Sequence, residues 1–124
     1  MKYFLLPLLW ALVIAIASLM PAPQLPEVEI DYADKLVHIF VYMVLTILMI
    51  WAWHKKNRKI LISYTTLFAI LASSSVYGIF MEILQFTTTT GRNFEIPDII
   101  ANIVGCLFGV FLYKSIKSLS VWMN

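Results

Sequence analysis

Four long apolar segments constrain the fold of this chain more strongly than any other feature of its sequence. They lie at about residues 3–20, 35–53, 60–86 and 97–114. A transmembrane helix needs about 17–25 mainly apolar residues, so each segment is long enough to cross a bilayer. Open sheet edges are not tolerated in lipid, and the sequence lacks the two-residue alternation of a β-barrel. We therefore predict an all-α integral membrane four-helix bundle, built from a single domain of residues 1–124.

Composition agrees with a bilayer as the solvent. Hydrophobic residues make up 61% of the chain and charged residues 13%, whereas roughly a quarter of the residues in a soluble domain are charged. The net charge is only +2, and the basic residues form short clusters rather than a basic surface. We therefore expect no nucleic-acid partner. The single cysteine, Cys106, cannot form a disulfide within the chain.

The basic residues predict the orientation of the bundle. Seven of the nine precede the first segment, lie between the second and third, or follow the fourth; they are Lys2, Lys55, Lys56, Arg58, Lys59, Lys114 and Lys117. Cytoplasmic loops of membrane proteins carry an excess of Lys and Arg. This rule predicts that both termini and the loop at residues 54–59 are cytoplasmic. The loops at residues 21–34 and 87–96 are then outside.

The first segment has an alternative interpretation as a signal peptide. Lys2 would form its basic region and residues 4–19 its apolar region, with a small-residue cleavage site near Ala22. Pro23 would directly follow the cut, however, and a proline-rich stretch is a poor substrate for the peptidase. We therefore expect an uncleaved helix.

Polar residues occur in pairs at the outer ends of three predicted helices. The pairs are Asp34 with His38, Glu82 with Gln85, and Asp98 with Asn102. Residues three or four positions apart share a helix face, so each pair is expected to point in one direction. Lys35 and Arg92 are the remaining cations on that side. Together these eight residues form either a ligand site or a polar network that locks the helices together.

Glu82 is the hardest of these residues to explain as an ordinary helix end. Asp34 and Asp98 begin predicted helices, where a carboxylate complements the helix dipole. Glu82 instead lies inside an apolar run, where an ionised carboxylate needs a partner. Lys35, His38 and Arg92 are its candidate partners on that side.

Small residues spaced by four occur along the fourth segment. Ala101, Gly105 and Gly109 follow this spacing, which lets two helices approach closely. The close approach is expected within the bundle, with a helix-mediated homo-oligomer through Gly105 and Gly109 as the alternative.

The ordered set of polar motifs resembles the VanZ-like family of small bacterial membrane proteins. The matching residues are Asp34, Lys35, His38 and Tyr42 in the second segment, Glu82 and Gln85 in the third, Gly91 and Arg92 in the following loop, and Asp98, Ala101, Asn102 and Gly105 in the fourth. The resemblance implies a multi-pass protein of the bacterial cytoplasmic membrane. It also implies a connection with resistance to teicoplanin-type lipoglycopeptides.

The favoured hypothesis is an outward-facing polar pocket that binds or modifies an anionic lipid or a lipid-linked cell-wall component. Lys35, Gln85, Arg92 and Asn102 would bind the ligand, and Asp34, His38, Glu82 and Asp98 would carry any chemistry. No cofactor is expected, because the sequence has no phosphate loop, nucleophile elbow or zincin motif.

Four alternatives stay open. The first is a metal-dependent hydrolase or transferase using oxygen ligands and His38. The second is a transporter, which the lack of charge in the inner halves of the segments disfavours. The third is a partner-binding protein that uses the acidic loop at residues 21–34, and the fourth is a purely structural polar network.

Overall fold

The computed structural model describes residues 1–19, 32–58, 62–88 and 96–123, with only the backbone described at 32–34 and 118–123. The regular secondary structure of these residues is entirely helical. A short 3₁₀ helix at Lys2–Phe4 precedes four α-helices: α1 (Leu5–Leu19), α2 (Tyr32–Asn57), α3 (Tyr64–Thr88) and α4 (Ile96–Met123). The predicted all-α fold is confirmed.

The four helices are long and apolar enough to cross a membrane. The qualifying spans are Lys2–Leu19, Lys35–Asn57, Tyr64–Thr88 and Ile96–Lys117. Large apolar side chains such as Leu8, Phe68 and Phe111 are about two-thirds exposed on the outside of the bundle. A surface of this kind is excluded from water and matches lipid. The chain is therefore a multi-pass membrane protein, whereas the cytoplasmic position of its termini stays a prediction.

Helix α2 is longer than its apolar segment. The sequence prediction placed residues 54–59 in a loop, but His54, Lys55 and Lys56 form the last turn of α2. Apolar length marks where lipid ends, whereas lysine continues a helix well in water and complements its C-terminal dipole. The helix ends at Arg58, whose φ of 52° is left-handed and whose N–H donates to His54 O over 2.9 Å. Such a residue is a common helix terminator.

Helix α3 begins later than the apolar segment predicts. The prediction started it at residue 60, whereas the helix starts at Tyr64. Ser63 explains this start, because its Oγ accepts a hydrogen bond from the N–H of Thr66 over 3.2 Å. A serine that caps a helix in this way satisfies an N–H that has no partner inside the helix.

Helices α2 and α4 pack with their backbones in close contact. A Cβ added to Gly105 would overlap the carbonyl oxygen of Ile39, and one added to Gly109 would lie 2.8 Å from the carbonyl oxygen of Met43. Both partner residues belong to α2. The glycines therefore serve close packing inside one chain.

Helix α1 is attached differently, by side-chain hydrogen bonds to backbone carbonyls. The indole Nε1 of Trp10 on α1 donates to Val41 O on α2 over 2.9 Å. The hydroxyl of Tyr77 on α3 donates to Ala11 O on α1. Only Pro7 and Ile14 of α1 are buried, so this helix contributes little to the core and a broad face to lipid.

Candidate functional site

Four of the predicted site residues, two on α3 and two on α4, are buried. Glu82 is 3% exposed, Gln85 5%, Asp98 6% and Asn102 2%. Polar side chains are costly to bury in an apolar bundle unless they find partners. Their contacts therefore decide whether the group is a site or a structural network.

Lys35 and Asp98 form an ion pair between α2 and α4. The Nζ of Lys35 donates to Oδ1 of Asp98, a residue 63 positions away in sequence. Lys35 keeps 20% of its side-chain surface exposed and Asp98 8%. Asp98 also lies in the first turn of α4, where a carboxylate complements the helix dipole. The sequence named both residues as site candidates, but not as each other's partner.

His38 is oriented by Asn102. Nδ1 of His38 lies 2.9 Å from Oδ1 of Asn102, and Nδ2 of Asn102 donates to Gly78 O over a longer 3.5 Å. Because the amide nitrogen faces that carbonyl, its oxygen faces the ring and accepts from Nδ1–H. In the neutral ring Nε2 is then the acceptor nitrogen.

Gly78 makes room for this arrangement. A Cβ at Gly78 would lie 3.0 Å from Cβ of Asn102, 3.1 Å from its Nδ2 and 3.1 Å from Cε1 of Tyr42. The glycine therefore lets the Asn102 amide lie against α3. Tyr42 is itself buried, and Glu82, one turn from Gly78 on α3, is buried as well.

A cavity of about 150 Å³ borders His38 on the α1 side of the bundle. We call it the His38 cavity; it is lined by Ile14, Ala17, Ser18, Val37, His38, Val41, Tyr42 and Gln85. This volume far exceeds the roughly 10–15 Å³ that one water molecule needs. Two of its lining residues are joined across the helices: Nε2 of Gln85 on α3 donates to Ser18 O on α1 over 2.8 Å.

The His38 cavity is not the pocket that the sequence predicts. That pocket, between the second, third and fourth helices, stays a prediction, whereas the His38 cavity is lined by α1, α2 and α3. The Lys35–Asp98 and His38–Asn102 contacts, by contrast, join α2 to α4. The sequence did not indicate that α1 lines the cavity, because α1 contributes apolar side chains and backbone atoms to the cavity wall. Trp10 and Tyr77 were the available signals, since a buried indole N–H or phenol O–H usually finds an acceptor.

Two candidate residues lie outside the described side chains. Arg92 is not among the described residues, and only the backbone of Asp34 is described. The metal-dependent alternative was tested on the other candidates. Within the described part of the chain, no three His, Cys, Asp or Glu residues are grouped so that they could hold a metal ion.

Comparison with known proteins identifies the family. The family model described as VanZ/LLP1 matches residues 3–118. The chain belongs to this family. The VanZ-like resemblance is thereby confirmed over nearly the whole chain, and the motif residues Lys35, His38, Asp98 and Asn102 meet at one end of the bundle.

One curated relative is an uncharacterized protein, C11E3.10, from the fission yeast Schizosaccharomyces pombe. It is 32% identical over 91 residues, which cover 73% of this chain and 51% of the relative. The chain thus spans about half the length of this fungal relative. Because the relative is fungal, membership in the family does not by itself indicate a bacterial membrane. No solved structure matches the chain.

Proposed function

We propose that this VanZ/LLP1 protein binds an anionic lipid, or a lipid-linked cell-wall component, with its headgroup in the His38 cavity. The observation that carries the proposal is the orientation of His38 by Asn102 beside a cavity. With Nδ1–H donated to the amide oxygen, Nε2 is the acceptor nitrogen of the neutral ring, and it is our proposed acceptor for a ligand hydroxyl.

The lining of the cavity suits a headgroup that carries both a hydroxyl and a phosphate. His38 and Gln85 supply polar atoms, while Ile14, Val37 and Val41 supply apolar walls. Lys35 lies three residues from His38 on α2, which places a positive charge on the same helix face. We expect the hydroxyl to donate to Nε2 of His38 and the phosphate to lie towards Lys35 and Arg92.

The same geometry supports proton transfer if the bound lipid is also modified. Nε2 of His38 takes the proton of the ligand hydroxyl, and the resulting imidazolium keeps its Nδ1–H on Asn102. A positioned histidine commonly acts as a general base in this way. Glu82, buried on α3, is the carboxylate proposed to stabilise the positive charge.

We propose the outer leaflet of a bacterial cytoplasmic membrane as the source of the ligand. The basic residues support this orientation, because they concentrate at the opposite end of the bundle. A connection with teicoplanin-type resistance belongs to the same proposal, since a protein that binds lipid-linked precursors would alter the target of these drugs. The fungal relative favours an anionic phospholipid, which bacteria and yeasts both possess, over a cell-wall precursor.

Native mass spectrometry of the gently extracted protein tests this proposal. We expect the wild type to retain a lipid that the His38→Gln variant and the Glu82→Gln/Arg92→Ala double variant lose. Ser73→Ala is the matched control, because Oγ of Ser73 donates to Ala69 O within its own helix over 2.6 Å and Ser73 does not line the His38 cavity. Equal retention by all four proteins would contradict a lipid site at His38.

A structural network is the second candidate, favoured by the Lys35–Asp98 pair that joins α2 to α4. The two functions differ in what a substitution does to the amount of protein. A network predicts that Glu82→Gln reduces the folded protein in the membrane. A ligand site predicts normal accumulation with loss of the bound lipid, measured on the same preparations.

A further inference from the structure

The end of the bundle opposite the His38 cavity is strongly basic. Its described side chains include six Lys or Arg residues: Lys2, Lys55, Lys56, Arg58, Lys114 and Lys117. Glu82 and Asp98, the carboxylates whose side chains the structure describes, both lie towards the other end. The basic end therefore lacks negative charge of its own among those side chains.

Three of these cations lie over aromatic rings. The Nζ of Lys2 is 5.2 Å from the ring centroid of Tyr3, and the Nζ of Lys56 is 5.7 Å from that of Phe4. The Nζ of Lys114 is 4.4 Å from the ring centroid of Tyr64. Such cation–π contacts hold a lysine without an anion. Lys117 differs, since it lines a cavity.

This second cavity lies between the last turns of α2 and the second half of α4. Its volume is about 250 Å³, and it is lined by His54, Tyr113, Ile116 and Lys117. The ring of His54 stands edge-on to that of Tyr113, with 6.4 Å between their centroids. The cavity thus combines an imidazole, an ammonium and a phenol at the edge of the apolar span.

One ring nitrogen in this cavity lacks a protein partner. Nδ1 of His54 is shielded from solvent and makes no hydrogen bond within the described part of the chain. A buried polar atom left unpaired is unusual and destabilising. Lys117 lines the same cavity, so an anion bound there would contact a positive charge as well as this nitrogen.

We propose that this cavity binds a phosphate group, supplied by the headgroup of an anionic phospholipid. Nδ1–H of His54 and the ammonium of Lys117 would donate to the phosphate oxygens. The location favours a lipid over a free anion, because Ile116 in the cavity wall is 62% exposed on the lipid-facing surface. Basic residues at a membrane surface attract anionic lipids in general. Here Lys117 differs from the other lysines because it lines a cavity.

Two lysines on one helix give a matched test. The full-length protein is titrated with phosphatidylglycerol or phosphatidylcholine, and retained lipid is counted by native mass spectrometry. Wild type, Lys114→Gln and the charge-conserving Lys117→Arg should retain phosphatidylglycerol in preference to phosphatidylcholine. Lys117→Gln and His54→Leu should lose that preference at least several-fold. Equal losses in Lys114→Gln and Lys117→Gln would mean diffuse charge attraction and would overturn the proposal, as would no loss in either.

Inorganic phosphate distinguishes the two sources of the group. If millimolar phosphate displaces phosphatidylglycerol and shifts the ¹⁵N resonance of His54, the cavity recognises the phosphate itself. If inorganic phosphate shifts that resonance but no phosphatidylglycerol is retained, the cavity binds phosphate and the proposal that a phospholipid supplies it is wrong. The same series is repeated in the His38→Gln background, in which the lipid of the His38 cavity is expected to be absent. The difference between the Lys117 and Lys114 variants should persist there, so this inference and the proposed function fail separately.

Discussion

The two sides of α2 are packed in opposite ways. Against α4, its backbone lies so close that Gly105 has no room for a side chain beside Ile39. Against α1, contact is made through single donors such as Trp10 to Val41 O, and the His38 cavity remains between the helices. The first contact is rigid because backbones cannot rearrange as side chains do. The second can adjust to a ligand, so the α2–α4 pair positions His38 while α1 borders the space beside it.

The largest effect should come from breaking the rigid contact. Gly105→Val places a branched side chain against the carbonyl of Ile39, and we expect a loss of about 3 kcal/mol in the free energy of unfolding. SDS-induced unfolding in mild detergent measures it. Leu107→Val on the lipid-exposed face of α4 is the control and should change little. A folded Gly105→Val protein of normal stability would show that α2 and α4 do not pack this way.

Removing one member of the ion pair should have the next largest effect. Asp98→Ala leaves Lys35 without the carboxylate that it contacts between α2 and α4, and we expect about 2 kcal/mol of destabilisation in the same assay. The double variant Lys35→Met/Asp98→Leu removes both charges and should recover most of the loss. If the double variant is as unstable as Asp98→Ala, the ion pair is not the cause.

A smaller substitution tests whether Asn102 orients His38. Gly78→Ala pushes a methyl group against Asn102 and Tyr42, at a cost of about 1 kcal/mol. We expect the displaced amide to release His38, so lipid retention should fall more than stability does. Native mass spectrometry and SDS unfolding on one preparation separate the two effects. Retention that falls only in proportion to stability would argue against the orienting role of Asn102.

The smallest effect should come from the adjustable contact. Tyr77→Phe removes the hydrogen bond to Ala11 O on α1, which contributes about 1 kcal/mol or less. We expect faster amide hydrogen exchange in α1 and unchanged exchange in α4. Phe68→Leu, on an exposed part of α3, is the control. Exchange that increases equally in α1 and α4 would mean that the two sides of α2 are not independent.

The sequence predicted the helices better than their ends. Four apolar segments require helices because lipid offers no partner to backbone N–H and C=O groups. Hydropathy reports the limits of lipid, however, and not those of a helix, so it missed the extension of α2 through Lys56. The start of α3 at Tyr64 depends on the capping hydroxyl of Ser63, a local signal that is independent of hydropathy.

The site was predicted as a set of residues but not as a set of contacts. Spacing of three or four positions identifies residues on one face of one helix. It does not say which face meets which helix, so the partners Lys35 with Asp98 and His38 with Asn102 could not be paired beforehand. The contribution of α1 was missed because Ser18 offers its backbone carbonyl to Gln85, and every residue has such a carbonyl.

The Lys35–Asp98 pair has a consequence for how the protein is made. Lys35 leaves the ribosome 63 residues before Asp98, so α2 enters the membrane before its counter-ion has been synthesised. A lone ammonium is poorly tolerated in lipid. Because Lys35 lies in the first turn of α2, its ammonium would stay at the membrane interface until α4 arrives. A nascent chain that stops before α4 would display an unpaired charge, a signal by which quality control could distinguish unfinished copies from complete ones.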